Sequence, residues 1–311
     1  MITFFLSRAA RAAMTLFIIV TFAFFVLRLS GDPVNRFFDI SSTPPAVVDA
    51  FRHQWGLDQP IWIQFYRYIT EVFQGNLGNS MSENRPALSV VIERLPATLS
   101  IMLPALFLKT ALGLLAGITA ALHRNSLYDR IVMSLSVLGL TVPNFVLALI
   151  LAFIFAVHLG WLPSGGYATW KHMILPIITL SVADAAIIAR YTRSAMVEVL
   201  GQPFVRTARA KGVQQRTVIL RHVLPNAAVP IITIFGFMLG STVAGAVVVE
   251  SVFSWPGIGR LLVAAVTSRD LAVVQVILML IGVMMVISNL SVDLLYGMID
   301  PRMRSSQKAK T

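Results

Sequence analysis

Six stretches of this sequence, roughly residues 9–29, 98–121, 131–157, 173–195, 227–249 and 272–296, are long, predominantly apolar runs. A helix needs about 20 such residues to cross the hydrocarbon core of a bilayer. Lipid offers no partner to backbone N–H and C=O groups, so a run of that length closes its own hydrogen bonds as a helix. Composition agrees: 57% of the 311 residues are hydrophobic and 13% charged, against roughly 25% charged in a soluble domain. The expected fold is an all-α polytopic membrane protein with six transmembrane helices.

The first run follows Arg8 and Arg11, as a secretion signal would, but the chain continues as RLSGDPVNRFF with no small-residue cleavage site. It reads as an uncleaved signal anchor. With the N-terminus inside, fifteen of the 25 Lys and Arg residues fall on the inner side and nine on the outer, with Lys109 inside a span. Five of the nine, Arg36 to Arg94, share one long loop, and long loops bias orientation less than short ones. Both termini are therefore expected in the cytoplasm. The segments are then an N-terminal helix (1–30), an external amphipathic segment (31–97), a five-helix core (98–296) holding an inner loop (196–226), and a cytoplasmic tail (297–311). The net charge of +11 is topological on this reading, and no nucleic-acid partner is implied. With no cysteine in the chain, disulfides, thiolate chemistry and Cys-based metal sites are excluded.

Short helices are expected in the external segment. TPPAVVDAFRHQWG has prolines at a helix start and Gly56 just beyond its end; QPIWIQFYRYITEVFQG repeats the arrangement with Pro60 and Gly75. In the second, Ile61, Phe65, Tyr68, Ile69 and Val72 fall three and four apart, the spacing of one helix face. Trp62, Tyr66 and Tyr68 suit a membrane–water interface. These helices either cap the bundle or offer a surface to something arriving from outside. RPALSVVIERLP reads as a further interfacial helix before the second span.

The stretch 203–227, PFVRTARAKGVQQRTVILRHVLPNA, holds five cations and no acid. Pro203 suits a first helical turn, where its missing N–H costs nothing. Phe204, Val205 and Ala208 make a short apolar face, with Arg206 and Arg209 turned away. Gly212 is the expected terminator, since it accepts positive φ. An amphipathic piece with Val218, Ile219, Val223 and Leu224 follows. The result is a helix–Gly–helix beneath the membrane, whose charge by itself suits topology signalling, anionic lipid or a docked protein.

The arrangement is more specific than the charge. TARAKG followed by RHVLPNA resembles the cytoplasmic loop of ABC importer permeases, of general form E-A-A-x3-G-x9-I-x-L-P. Aligned on Gly212, Ala208 takes the second Ala and Leu224–Pro225 the final L-P. Arg206 stands where the Glu would be and His222 where the Ile would be, and both departures resemble the peptide and nickel branch. GLDQPIWIQFYRY, GNLGNS, VPNF and VESVFSWPGIGRLL agree with it. The resemblance implies a type I ABC importer permease fold. It implies that Phe204, Val205, Arg206, Ala208, Arg209, Gly212, His222 and Pro225 couple to a cytoplasmic ATPase. It also implies a second homologous permease, two ABC ATPase subunits and an extracytoplasmic solute-binding protein as partners. The sequence has no G-x-x-x-x-G-K-[ST], so ATP and its Mg²⁺ are expected on the partner ATPases, and no cofactor, metal or catalytic residue is expected in this chain.

Charges within spans cost about 2.5–3.5 kcal/mol each at mid-membrane. Asp184 lies mid-span, either paired with a basic side chain or backbone donors, or lining a path where it meets an ammonium group or a cation. Glu250 and Asp293 lie close enough to the interfaces to be ordinary. Pro143 and Pro176 are expected to bend their spans. His158 and His172 have no ligand-like partner nearby. Ser254, Trp255, Pro256 and Gly257 read as an external turn before a short helix, GRLLVAAV, which the resemblance makes a gate and composition alone a passive cap. The expected function is the permease subunit of an ABC importer for dipeptides or oligopeptides, embedded in membrane lipid. The alternatives are a permease for nickel complexes or another small solute, an ion-coupled secondary carrier served by Asp184, and, weakest, a membrane enzyme.

Overall fold

The computed structural model describes residues 2–29, 34, 38 and 43–299, leaving out the side chains of residues 2–9, Ser241 and residues 293–299. The tail from residue 300, the start of the external segment and the Asp293 side chain thus lie outside the described residues. Among the described residues the regular structure is helical, with one isolated antiparallel bridge between Asn79 and Pro86. The helices are α1 (Ile2–Leu29), α2 (Pro45–Gln54), α3 (Ile61–Phe73), α4 (Ala87–Leu122), α5 (Leu127–Thr141), α6 (Asn144–Ala152), α7 (Lys171–Leu200), α8 (Pro203–Ala210), α9 (Leu224–Val252), α10 (Ile258–Thr267) and α11 (Leu271–Ile299). Among the described residues five helices are long and apolar enough to cross a membrane, and a sixth span arises if α5 and the helical stretch Asn144–His158, bent by 102°, count as one.

That bend is where the third span departs from a straight rod. Val142 is extended (φ −85°, ψ 116°), as the residue before a proline must be, and Pro143 caps the start of α6. Pro176 behaves differently: it sits in the second turn of α7, which continues through it to Leu200. The second span also differs from expectation. The interfacial helix at 85–96 is not separate, because α4 runs unbroken for 36 residues from Ala87.

The chain forms two compact units. The first takes in the described residues up to Ala97 and Pro256–Met284. Here α3 lays its expected face on α1, with Phe24 fully buried, edge-on to Phe65 at 5.2 Å and stacked on Tyr68 at 5.4 Å. Tyr68 therefore turns inward rather than toward an interface, and burial pushes its phenol up to about 12. Trp62 and Tyr66 point outward. Gly56 and Gly75 close α2 and α3 with φ of +62° and +81°. Elsewhere in this unit Val90, Val91, Ile258, Ala265, Val273 and Ile277 form one apolar core that joins α4, α10 and α11. Asp270 caps α11 through Val273 N–H and accepts from the buried Ser80 hydroxyl at 2.5 Å.

The second unit takes in Thr98–Trp255 and the residues from Met285 on. Its helices pack at glycines. A methyl placed on Gly113 would meet Ile188 at 2.6 Å, and one on Gly117 would meet the Ala189 carbonyl oxygen at 2.6 Å. Thus α4 and α7 touch backbone to backbone, the close approach that small residues permit between membrane helices. Gly139 of α5 does the same against Ala186 of α7.

Candidate functional site: the loop between α7 and α9

After α7 the chain turns at Gly201, and Gln202 is extended ahead of Pro203. Eight residues of helix follow. They end where the Gly212 N–H donates to the Arg209 carbonyl (3.0 Å) and the Val213 N–H to that of Ala208 (3.3 Å). Gly212 carries φ +74°, and nothing lies within 4 Å of where its Cβ would be. A helical turn (Gln215–Thr217) and a π-helical turn (Val218–Val223) then lead without a break into α9. The sequence therefore builds a helix–Gly–helix, as its residue types require.

The apolar face is divided, however. Val205 is fully buried and Ala208 packs beside it, in a core with Met196, Val218, Val223 and Ala227. Phe204, one residue or about 100° further round the helix, points outward with 43% of its surface exposed. Ala208, four residues after Phe204 and three after Val205, lies between them on the helix, so the expected face runs from a buried edge at Val205 to an exposed one at Phe204. Arg206, Arg209 and Pro225 are exposed, and His222 is half-buried, its carbonyl accepting from Asn226 Nδ2 at 2.7 Å.

A second polar site lies inside the helices. Asp184 of α7 accepts from Lys109 Nζ of α4 at 2.6 Å, and Lys109 also donates to the Met238 carbonyl at 3.3 Å and to the Thr242 hydroxyl, both on α9. The Lys109 side chain has no exposure and that of Asp184 has 16%. An ammonium has three donors, and here each has an acceptor. A third site joins α5 to α7: Arg193 donates bidentately to Asp129, with both N–H···O distances 2.7 Å, and the Asn125 N–H donates to the same carboxylate. Sequence reasoning singled out neither residue for this role. The signal was present as Ser126 three residues before Asp129, a capping pattern, and Ser126 does cap α5.

Glu250 stands two residues from the end of α9. It is fully buried and accepts from the Thr98 hydroxyl at 2.7 Å. The turn after α9 has Ser254 at φ +52° and the Trp255 N–H on the Glu250 carbonyl. Trp255 is buried and edge-on to Tyr167, with ring centroids 4.8 Å apart. Pro256 and Gly257 precede α10. His172 meets Thr169 through Nδ1, and among the described residues no group of three metal-ligating side chains gathers.

Long apolar helices, a bent span and a helix–Gly–helix between α7 and α9 define a multi-pass membrane protein. The chain belongs to the family described as binding-protein-dependent transport system inner membrane component, whose model matches residues 113–305, with its N-terminal domain matching 1–102. It is thus a permease subunit of an ABC importer and a multi-pass protein of the inner membrane. Its relatives include the glutathione transport system permease protein GsiC of Salmonella paratyphi A, 42% identical over 305 residues, 98% of this chain and 99% of the relative. GsiC of Escherichia coli K12 is 41% identical over the same share of each chain. Among solved structures, an inward-facing MetNI methionine ABC transporter matches 68% of this chain and 97% of its own with a TM-score of 0.57 at 18% identity. An amino acid ABC transporter matches 67% and 93% with a TM-score of 0.51 at 20% identity. These two share the fold.

Proposed function

We propose that this chain, paired with a second homologous permease, forms the membrane pathway of an importer for small peptides, glutathione among them. An extracytoplasmic solute-binding protein delivers the peptide to the side of residues 31–97. Two ABC ATPase subunits on the cytoplasmic side bind ATP and Mg²⁺, hydrolyse the ATP, and hold α8 of this chain. Both termini and residues 196–226 lie in the cytoplasm, and the turn at Glu250, Trp255, Pro256 and Gly257 borders the external end of the path. The observation that carries the coupling role is α8 itself: an eight-residue helix closed by left-handed Gly212 and braced from behind by Val205. Such a braced lever passes a push from outside to α7 and α9 without bending. The full-length likeness to glutathione permeases supports a peptide as the solute.

The test is uptake of labelled glutathione and of labelled dipeptides by cells lacking this chain and by cells regaining it. Uptake of at least one should fall on deletion and return with the gene. Unchanged uptake of every peptide tried would overturn the substrate reading.

A further inference from the structure

We propose that the surface this loop offers its partner is cationic and carries one exposed aromatic side chain, fitting an acidic groove with an apolar hole on the ATPase subunit. The inference rests on the reading of α8 as the ATPase-docking helix and specifies the chemistry of the other side. Val205, Val218 and Val223 have no exposed surface, so these three aliphatic side chains are consumed within the chain. What remains outside includes Phe204 and Leu220 together with Arg206, Arg209, Lys211, Arg216 and Arg221, all exposed.

No Asp or Glu occurs between Glu198 and Glu250, and among the described residues none of the five cations lies in an ion pair. Elsewhere the chain supplies carboxylates to three of its cations: Glu83 and Glu93 to Arg85, Asp184 to Lys109, Asp129 to Arg193. Five like charges that the chain leaves uncompensated suit a partner surface of the opposite sign. An exposed aromatic side chain on the same short loop as unpaired cations suits an interface in which the aromatic group fills a pocket and the charges set association rate and salt dependence.

The assembled transporter, purified in detergent without added lipid through a tag on this chain, provides the assay. The ATPase that stays bound is measured at rising NaCl. Retention by the wild type should fall with salt, as screening shortens the reach of charge from about 30 Å at 0.01 M to about 8 Å at 0.15 M. Arg206→Gln/Arg209→Gln/Lys211→Gln should bind about tenfold more weakly at low salt and show a flatter salt profile, whereas Phe204→Ala should weaken binding at every salt concentration. Labelling at Gln214→Cys in the triple variant checks that the loop keeps its side of the membrane.

If the triple variant keeps wild-type retention and salt profile, the acidic groove is wrong. The docking role survives that result if Phe204→Ala or Gly212→Val releases the ATPase, and falls with it if neither does. If the triple variant differs from wild type only in vesicles containing phosphatidylglycerol and not in phosphatidylcholine or detergent, the cations serve lipid and the proposal is overturned.

Discussion

Lys109 holds an ammonium at zero exposure because Asp184, Thr242 and the Met238 carbonyl take its three donors. Removing one partner of a buried pair costs about 3–5 kcal/mol, since the other charge is left uncompensated. Lys109→Met should therefore lower the unfolding temperature in detergent sharply. Lys109→Met combined with Asp184→Leu should recover most of the loss; equal losses in single and double variants would show that the two residues are not coupled. Asp184→Asn keeps an amide oxygen that can still accept from Lys109, so it should insert normally and alter transport. Transport equal to wild type at every pH would leave Asp184 a structural residue. Sequence reasoning saw both charges and named a basic partner as one option for Asp184. It could not choose the partner, because Lys109 stands 75 residues from Asp184 in the chain and is brought to it only where α4 and α7 meet at Gly113 and Gly117.

At the scale of elements, two glycines do opposite work. Gly212 is needed for its backbone: φ is +74° and the space around it is open. Gly212→Val should cost about 1–3 kcal/mol in local strain and release the ATPase from the purified transporter. Gly212→Asn, which tolerates left-handed φ, should keep it bound; loss with Asn as well as Val would mean that conformation is not the reason. Gly117 is needed for its size, because any Cβ meets the Ala189 carbonyl of α7. Gly117→Ala should lower thermal stability by about 1–3 kcal/mol, and no change on unfolding would show that α4 and α7 can part without loss. The first role was legible, since a glycine after Arg209-Ala210-Lys211 reads as a helix stop. The second was not, because nothing local distinguishes a packing glycine from any other glycine in an apolar run.

For the whole molecule, the cation imbalance across the spans sets the expected orientation. The chain has no cysteine, so introduced ones report cleanly. Ser82→Cys should react with a membrane-impermeant maleimide from outside intact cells, and Gln214→Cys only after the membrane is opened. Labelling of both from the same side would overturn the topology. Both positions are exposed, so burial cannot mimic the result.

The apolar runs by themselves determined the all-helical fold and most span positions, because a bilayer leaves a long apolar chain no other way to satisfy its backbone. Proline and glycine placement determined α2, α3, α8 and the turn before α10, since these residues restrict or free φ wherever they stand. Four things waited for tertiary structure. They are the partner of Asp184, the burial of Glu250 against Thr98, the clamp of Arg193 on Asp129, and the division of α8 into an inward Val205 and an outward Phe204. Each depends on which face of a helix meets another helix. In a membrane chain, apolar residues face lipid and core alike, so hydrophobicity marks a helix without saying which side of it is inside.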